Sequence, residues 1–99
     1  MTYELNALSE CRAALGVTDD YFDSQIRLAI AAARVKMQLG GVSVTKSNDS
    51  SDPLVMVAII AYVKGTVGND NPDAERYLES FESMVTQMKL TDSYSKEEA

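Results

Sequence analysis

The stretch PLVMVAIIAYV, residues 53–63, carries no charged side chain and is apolar on every face that a helix could present. It limits the fold more than any other part of the chain, because a helix that is apolar all round has to be surrounded. The run falls far short of the roughly 20 residues that cross a bilayer, so its surroundings must be the rest of the protein. Asp52 followed by Pro53 marks its start, since aspartate is a good N-cap and proline at the first helical position loses only an amide without a helical partner. Lys64 is the one charge in the helix proper, and Gly65 and Gly68 weaken its end. A chain of 99 residues with 45% hydrophobic content is one domain. Its other helices are therefore expected to wrap this one.

Three further segments have the periodicity to do so. From Tyr3 to Leu15, the residues Leu5, Leu8, Cys11 and Leu15 fall on one helical face, and Gly16 is placed to stop the helix in a left-handed conformation. Thr18 is a candidate N-cap for a second helix, with Asp19 and Asp20 in its first turn, Val17 and Phe22 as a hydrophobic staple, and Asp23 with Arg27 as an i, i+4 ion pair. In FDSQIRLAIAAARVKMQL two apolar rows run side by side: Phe22, Ile26, Ala29, Ala33, Met37 and Leu28, Ala32, Val35, Leu39. That stripe is wider than a small core requires, so either the helix is central and touches neighbours on two sides or one row faces another subunit. In NPDAERYLESFESMVTQMKL, Asn71 and Pro72 read as N-cap and first helical residue, and Ala74, Tyr77, Leu78, Phe81, Met84, Val85 and Met88 form one stripe.

The expected fold is all-α, a compact bundle of four helices near 3–15, 19–39, 52–67 and 72–89, with Ile26, Ile30, Ile59, Tyr62, Tyr77 and Phe81 inside. Gly40-Gly41 ends the second helix and opens the stretch GGVSVTKSNDSS, which is too polar for the core. It reads as a loop with a possible strand-like excursion at Val42 and Val44, and a loop of this length is either a mobile connection or a contact element. The last residues, TDSYSKEEA, lack periodicity and are expected to be a disordered tail, 91–99, beyond a domain of residues 1–90. A chain cut after Leu90 is then expected to melt as the full chain does.

Several functions fit poorly. The net charge is -6, from nine basic and fifteen acidic residues, which is the opposite of a phosphate-binding footprint. A helix-turn-helix reading of residues 5–39 would put Asp19, Asp20 and Asp23 against the DNA backbone, where they are repelled. The segment NDNPDAERY offers alternating oxygen ligands but has Ala74 where a calcium loop needs glycine and Ser80 where it needs glutamate. No histidine stands anywhere in the chain, so Cys11, on an apolar helical face, lacks the usual base and reads as a small buried hydrophobe. No catalytic residue, cofactor or metal ligand is assigned. The single cysteine and the absence of a charged segment leading an apolar run point to a reducing cytoplasm.

The run AYVKGTVGNDNPDAERYLESFESM, with its tyrosine in the third helix, its DNPDA turn and the aromatic helix after it, resembles the small head-tail connector (adaptor) proteins of tailed bacteriophages and prophages. The opening ALSECRAALGVTDDYFDSQIRLAIAAARVKM is similar to that family as well, so the likeness spans roughly residues 5–90. It implies a structural protein of four helices, assembled as a ring below the portal and joining the DNA-filled head to the tail or stopper protein. On that reading Leu28, Ala32, Val35, Leu39, Val42 and Val44 are candidate subunit contacts, and Lys46 and Tyr94, in the loop and tail, are candidate partner contacts. The implied location is the bacterial host cytoplasm during assembly and then the virion. The competing reading is a DNA-packaging accessory factor that binds the packaging motor or nucleic acid.

Overall fold

The computed structural model describes residues 3–68 and 71–97. Among them lie six helices and no strand: α1 (Tyr3–Leu15), α2 (Asp23–Leu39), α3 (Val44–Ser47), α4 (Pro53–Thr66), α5 (Ala74–Lys89) and α6 (Asp92–Ser95). The four longer ones are the four helices expected from periodicity. The short ones, α3 and α6, fall in the segments expected to be irregular.

The apolar helix is at the centre. Asp52 Oδ1 accepts the Leu54 and Val55 amides at 2.9 and 3.3 Å, so the cap read from the sequence is made. From there α4 buries Val55, Met56, Ala58, Ile59, Ala61 and Val63 and packs against α5, α2 and α1. Gly65 has a packing role beyond weakening the helix end: a Cβ there would stand 2.7 Å from Leu78 Cδ2 and 3.1 Å from the Ala74 carbonyl. The start of α5 therefore lies closer to α4 than a side chain would permit. Five of the residues expected inside are at or near the core: Ile26, Ile30, Ile59 and Phe81 are buried, and the half-buried Tyr62 packs on them. Tyr77 is corrected to half-buried, with the Lys64 ammonium 4.8 Å from its ring centroid.

Both glycine stops work as helix ends. The Gly16 and Val17 amides donate to the Ala13 and Arg12 carbonyls, and the Gly41 and Val42 amides donate to the Gln38 and Met37 carbonyls, each with the glycine at positive φ. This is the paired bonding of a Schellman motif, in which the residue after the glycine folds back on the helix. At Gly41 that residue is Val42, which joins Met37 in the core. The segment 40–51 is thus less excluded from the core than its polarity suggests. Arg34, buried on α2, donates to the Ser47 carbonyl (2.9 Å) and Ser50 Oγ (2.6 Å), and Gln38 donates to Ser47 Oγ at 2.8 Å. In place of a strand-like excursion there is one helical turn, α3, capped by Ser43.

Both expected helix starts are corrected. α2 begins at Asp23, because Asp19 turns back to accept the Tyr21 amide at 3.2 Å and residues 19–22 form turns. Thr18 does not cap it, and Phe22 stands at the cap position without a side-chain bond. Asp23 pairs across helices, not with Arg27: its carboxylate accepts Arg12 Nε at 2.8 Å and also a terminal guanidinium nitrogen of Arg12. A planar fork held between α1 and α2 outcompetes an exposed pair along one helix. α5 begins at Ala74. Asn71 Oδ1 accepts the Asp73 amide at 2.9 Å while Asn71 Nδ2 donates to the Lys64 carbonyl at 2.8 Å, so this side chain clasps the turn between α4 and α5. Asn69 and Asp70, the other polar residues of that turn, lie outside the described residues.

The expectation of a disordered tail is corrected for residues 91–97. The Ser43 amide donates to the Tyr94 carbonyl at 2.8 Å, and the Tyr94 ring packs against the core. Residues 98 and 99 lie outside the described residues.

Candidate functional site

The two apolar rows of α2 separate cleanly. Ile26, Ala29, Ala33 and Met37 are buried with half-buried Phe22 beside them, whereas Leu28, Val35 and Leu39 are 73%, 52% and 83% exposed. Ala32 is half-buried, and Val44, in α3, is also exposed. Val42 is the exception among the candidate subunit contacts, since its side chain is already inside the chain's own core.

A groove follows the outer row. One end, about 290 Å³, lies between Leu28 and Ala32 of α2 and Tyr62, Thr66 and Val67 at the end of α4. The other, about 440 Å³, lies between Lys36 and Leu39 on α2, with Gly40 just after it, and Phe81, Val85 and Lys89 on α5. A smaller concavity over Tyr62 and Phe81, whose ring centroids are 5.0 Å apart, joins the two. Such a surface can hold an apolar side chain or a helix face.

The second candidate region is the junction of the loop with the C-terminal segment. Lys46 and Tyr94, which the sequence offers only as separate candidates, meet here: the Lys46 ammonium stands 5.1 Å from the Tyr94 ring centroid and 3.2 Å from Asp52 Oδ2. The Tyr94 hydroxyl donates to the same carboxylate at 3.0 Å. Asp52 therefore caps α4 and ties down the strap 91–97 at once. Glu97 does the matching work at α3, where its carboxylate accepts the Val44 and Thr45 amides (2.5 and 3.3 Å) and the Thr45 hydroxyl (2.7 Å).

The shifts in acidity at this junction follow from these contacts. Burial pushes the Asp52 carboxyl up, but hydrogen bonds from the Val55 amide, Tyr94, Lys46 and the Leu54 amide more than reverse it, leaving it below the ordinary value. Glu97 is lowered by the Thr45 hydroxyl and by the Thr45 and Val44 amides. Lys46 is raised by its bond to Asp52, and Tyr94 by burial and by the same carboxylate. Cys11 is pushed up to about 11 by burial, which keeps it a thiol.

Sequence reading missed the strap because its partners are remote. Tyr94 reaches Asp52 over 42 positions and Glu97 reaches Thr45 over 52. Asp52 itself was legible only as a cap. Arg34 carried one available signal, a lone cation flanked by the apolar residues of α2's buried side, which implies a buried partner.

A family model described as phage connector protein matches residues 7–95. No curated protein and no solved structure gives a significant match.

Proposed function

The chain belongs to the phage connector protein family, and on that premise we propose that it is a structural head-tail connector, forming a ring below the portal and linking the DNA-filled head to the tail or stopper. Connector proteins of this family are structural, and the reading assigns no chemistry to the chain. The observation that carries the ring is the outer row of α2. Leu28, Val35 and Leu39 line an exposed apolar stripe beside a groove, and a surface of this kind is what a neighbouring subunit covers. Rings arise where two different surfaces of each copy meet and the rotation closes. Ala32 and Val44 extend the proposed subunit contact.

The loop and strap are the proposed reach toward portal on one side and tail or stopper on the other. Lys46 and Tyr94 act there by holding the strap in place as well as by direct contact. A net charge of -6 suits a channel through which DNA passes without adhering. Among the described residues no helix is long and apolar enough to cross a membrane. The proposed setting is the cytoplasm of the bacterial host during assembly and the head-tail junction afterwards.

Purified protein incubated with portal-bearing heads and examined by electron microscopy tests the reading. Density below the portal is the expected result. Heads left bare, together with a shift of duplex DNA by the protein at low salt, would replace it with the packaging-factor reading.

A further inference from the structure

We infer that neighbouring copies meet through a knob and a socket at opposite ends of α2: the Asp19–Asp20–Tyr21 turn of one copy enters the groove between Lys36 and Lys89 of the next. This rests on the connector reading and names the surfaces that the reading leaves open.

The knob is unusual among the exposed groups. Tyr21 is 78% exposed, yet its ring stands edge-on to Phe22 at 4.8 Å, and Phe22 is packed on the core. The Tyr21 amide is held by Asp19 Oδ1 at 3.2 Å, which ties a carboxylate to the backbone of the turn that carries the ring. Asp19 and Asp20 are exposed, and neither forms an ion pair among the described residues. Elsewhere the acidic side chains of α5, Glu75, Glu79 and Glu82, have no large exposed hydrophobe beside them on that helix, and Tyr94 is already engaged by Asp52.

The socket has the complementary character. Its floor is Phe81, Val85 and Gly40, where a Cβ would come within 2.6 Å of Val85 Cγ1, so the missing side chain keeps the floor low. Leu39 forms an apolar wall. Lys36 and Lys89 supply two cations that make no ion pair among the described residues, against the single carboxylate of Glu82. An aromatic ring flanked by carboxylates fits an apolar floor flanked by ammonium groups, with the lysines also able to lie over the ring. At 1.5 Å per residue, α2 separates its own knob from its own socket by about 25 Å. The two can meet only between copies. Because they are different surfaces, the contact is heterologous, and it forms a ring where the rotation from copy to copy closes.

Charge exchange tests the contact, because the four charged sites are exposed and their substitution leaves the core untouched. One variant carries Asp19→Lys with Asp20→Lys, another Lys36→Glu with Lys89→Glu, and circular dichroism and melting verify that each folds as the wild type does. Sedimentation velocity at low salt then reads association, and carbodiimide coupling of mixed ¹⁵N-labelled and unlabelled wild type, free and bound to portal-bearing heads, reads adjacency between copies. Each variant alone is expected to lose association. Their equimolar mixture is expected to regain it, since each variant's knob then matches the other's socket. Cross-links between copies are expected from Asp19 or Asp20 to Lys36 or Lys89. If the wild type associates or decorates heads while the variants do the same and the cross-links fall elsewhere, the knob-and-socket contact is overturned and the ring reading stands. A wild type that neither associates, nor cross-links between copies, nor decorates heads overturns both.

Discussion

Phe81 shows how much one side chain carries in a chain of this size. It is 3% exposed, lies against Tyr62 and floors the groove, so Phe81→Ala removes core contacts at the junction of α4 and α5. A loss of about 3 to 5 kcal/mol is expected in urea unfolding, a large part of a small domain's stability. Gly65→Ala sets two effects against each other. Alanine favours a helix over glycine by about 1 kcal/mol, but overpacking costs about 1 to 3 kcal/mol. Here the obstruction includes Leu78 Cγ at 2.7 Å, a branch point that cannot swing aside as a chain tip would, and the backbone carbonyl of Ala74. A lower melting temperature is expected; a higher one would mean that α5 shifts freely.

At the scale of elements, the strap changes what truncation should do. Removing residues 91–99 takes away the Tyr94 packing, the Tyr94–Asp52 bond and the Glu97 carboxylate over α3. The cut chain is therefore expected to melt below the full one, in contrast to the expectation for a disordered tail. Tyr94→Phe isolates one part of this and should cost about 0.5 to 1.5 kcal/mol, the net worth of a hydrogen bond. The strap should also respond to pH. Asp52 and Glu97 have lowered pKa values, so their contribution is complete above the ordinary carboxylate range and is lost as pH falls through the lowered values. Lys46 and Tyr94 are raised, so theirs is complete below their ordinary values and is lost as pH rises through the raised ones. Exchange protection of the Ser43, Val44 and Thr45 amides should accordingly be steady near neutrality and decline below about pH 4. Unchanged protection there would mean that the strap is held by packing alone.

At the scale of the whole molecule, the fold and the proposed contact surface draw on opposite faces of α2. Replacing Leu28 and Leu39 together by serine changes only exposed positions, so monomer stability should stay within about 0.5 kcal/mol per site. Assembly on portal-bearing heads should be lost. Stability and assembly falling together would show that the outer row also supports the monomer.

What the sequence by itself determined is local: the Asp52–Pro53 start of α4, the turns at Gly16 and Gly41, and the two apolar rows of α2. Each depends on groups within a turn or two of chain, where backbone preference and helical period act directly. Only the tertiary structure decided which row of α2 faces outward, that Asp23 answers Arg12, that Val42 turns inward, and that Tyr94 and Glu97 close over Asp52 and Thr45. Those contacts join residues that periodicity and capping treat independently. Their energy exists only once packing around α4 has brought the segments together, and no signal within either segment specifies the other.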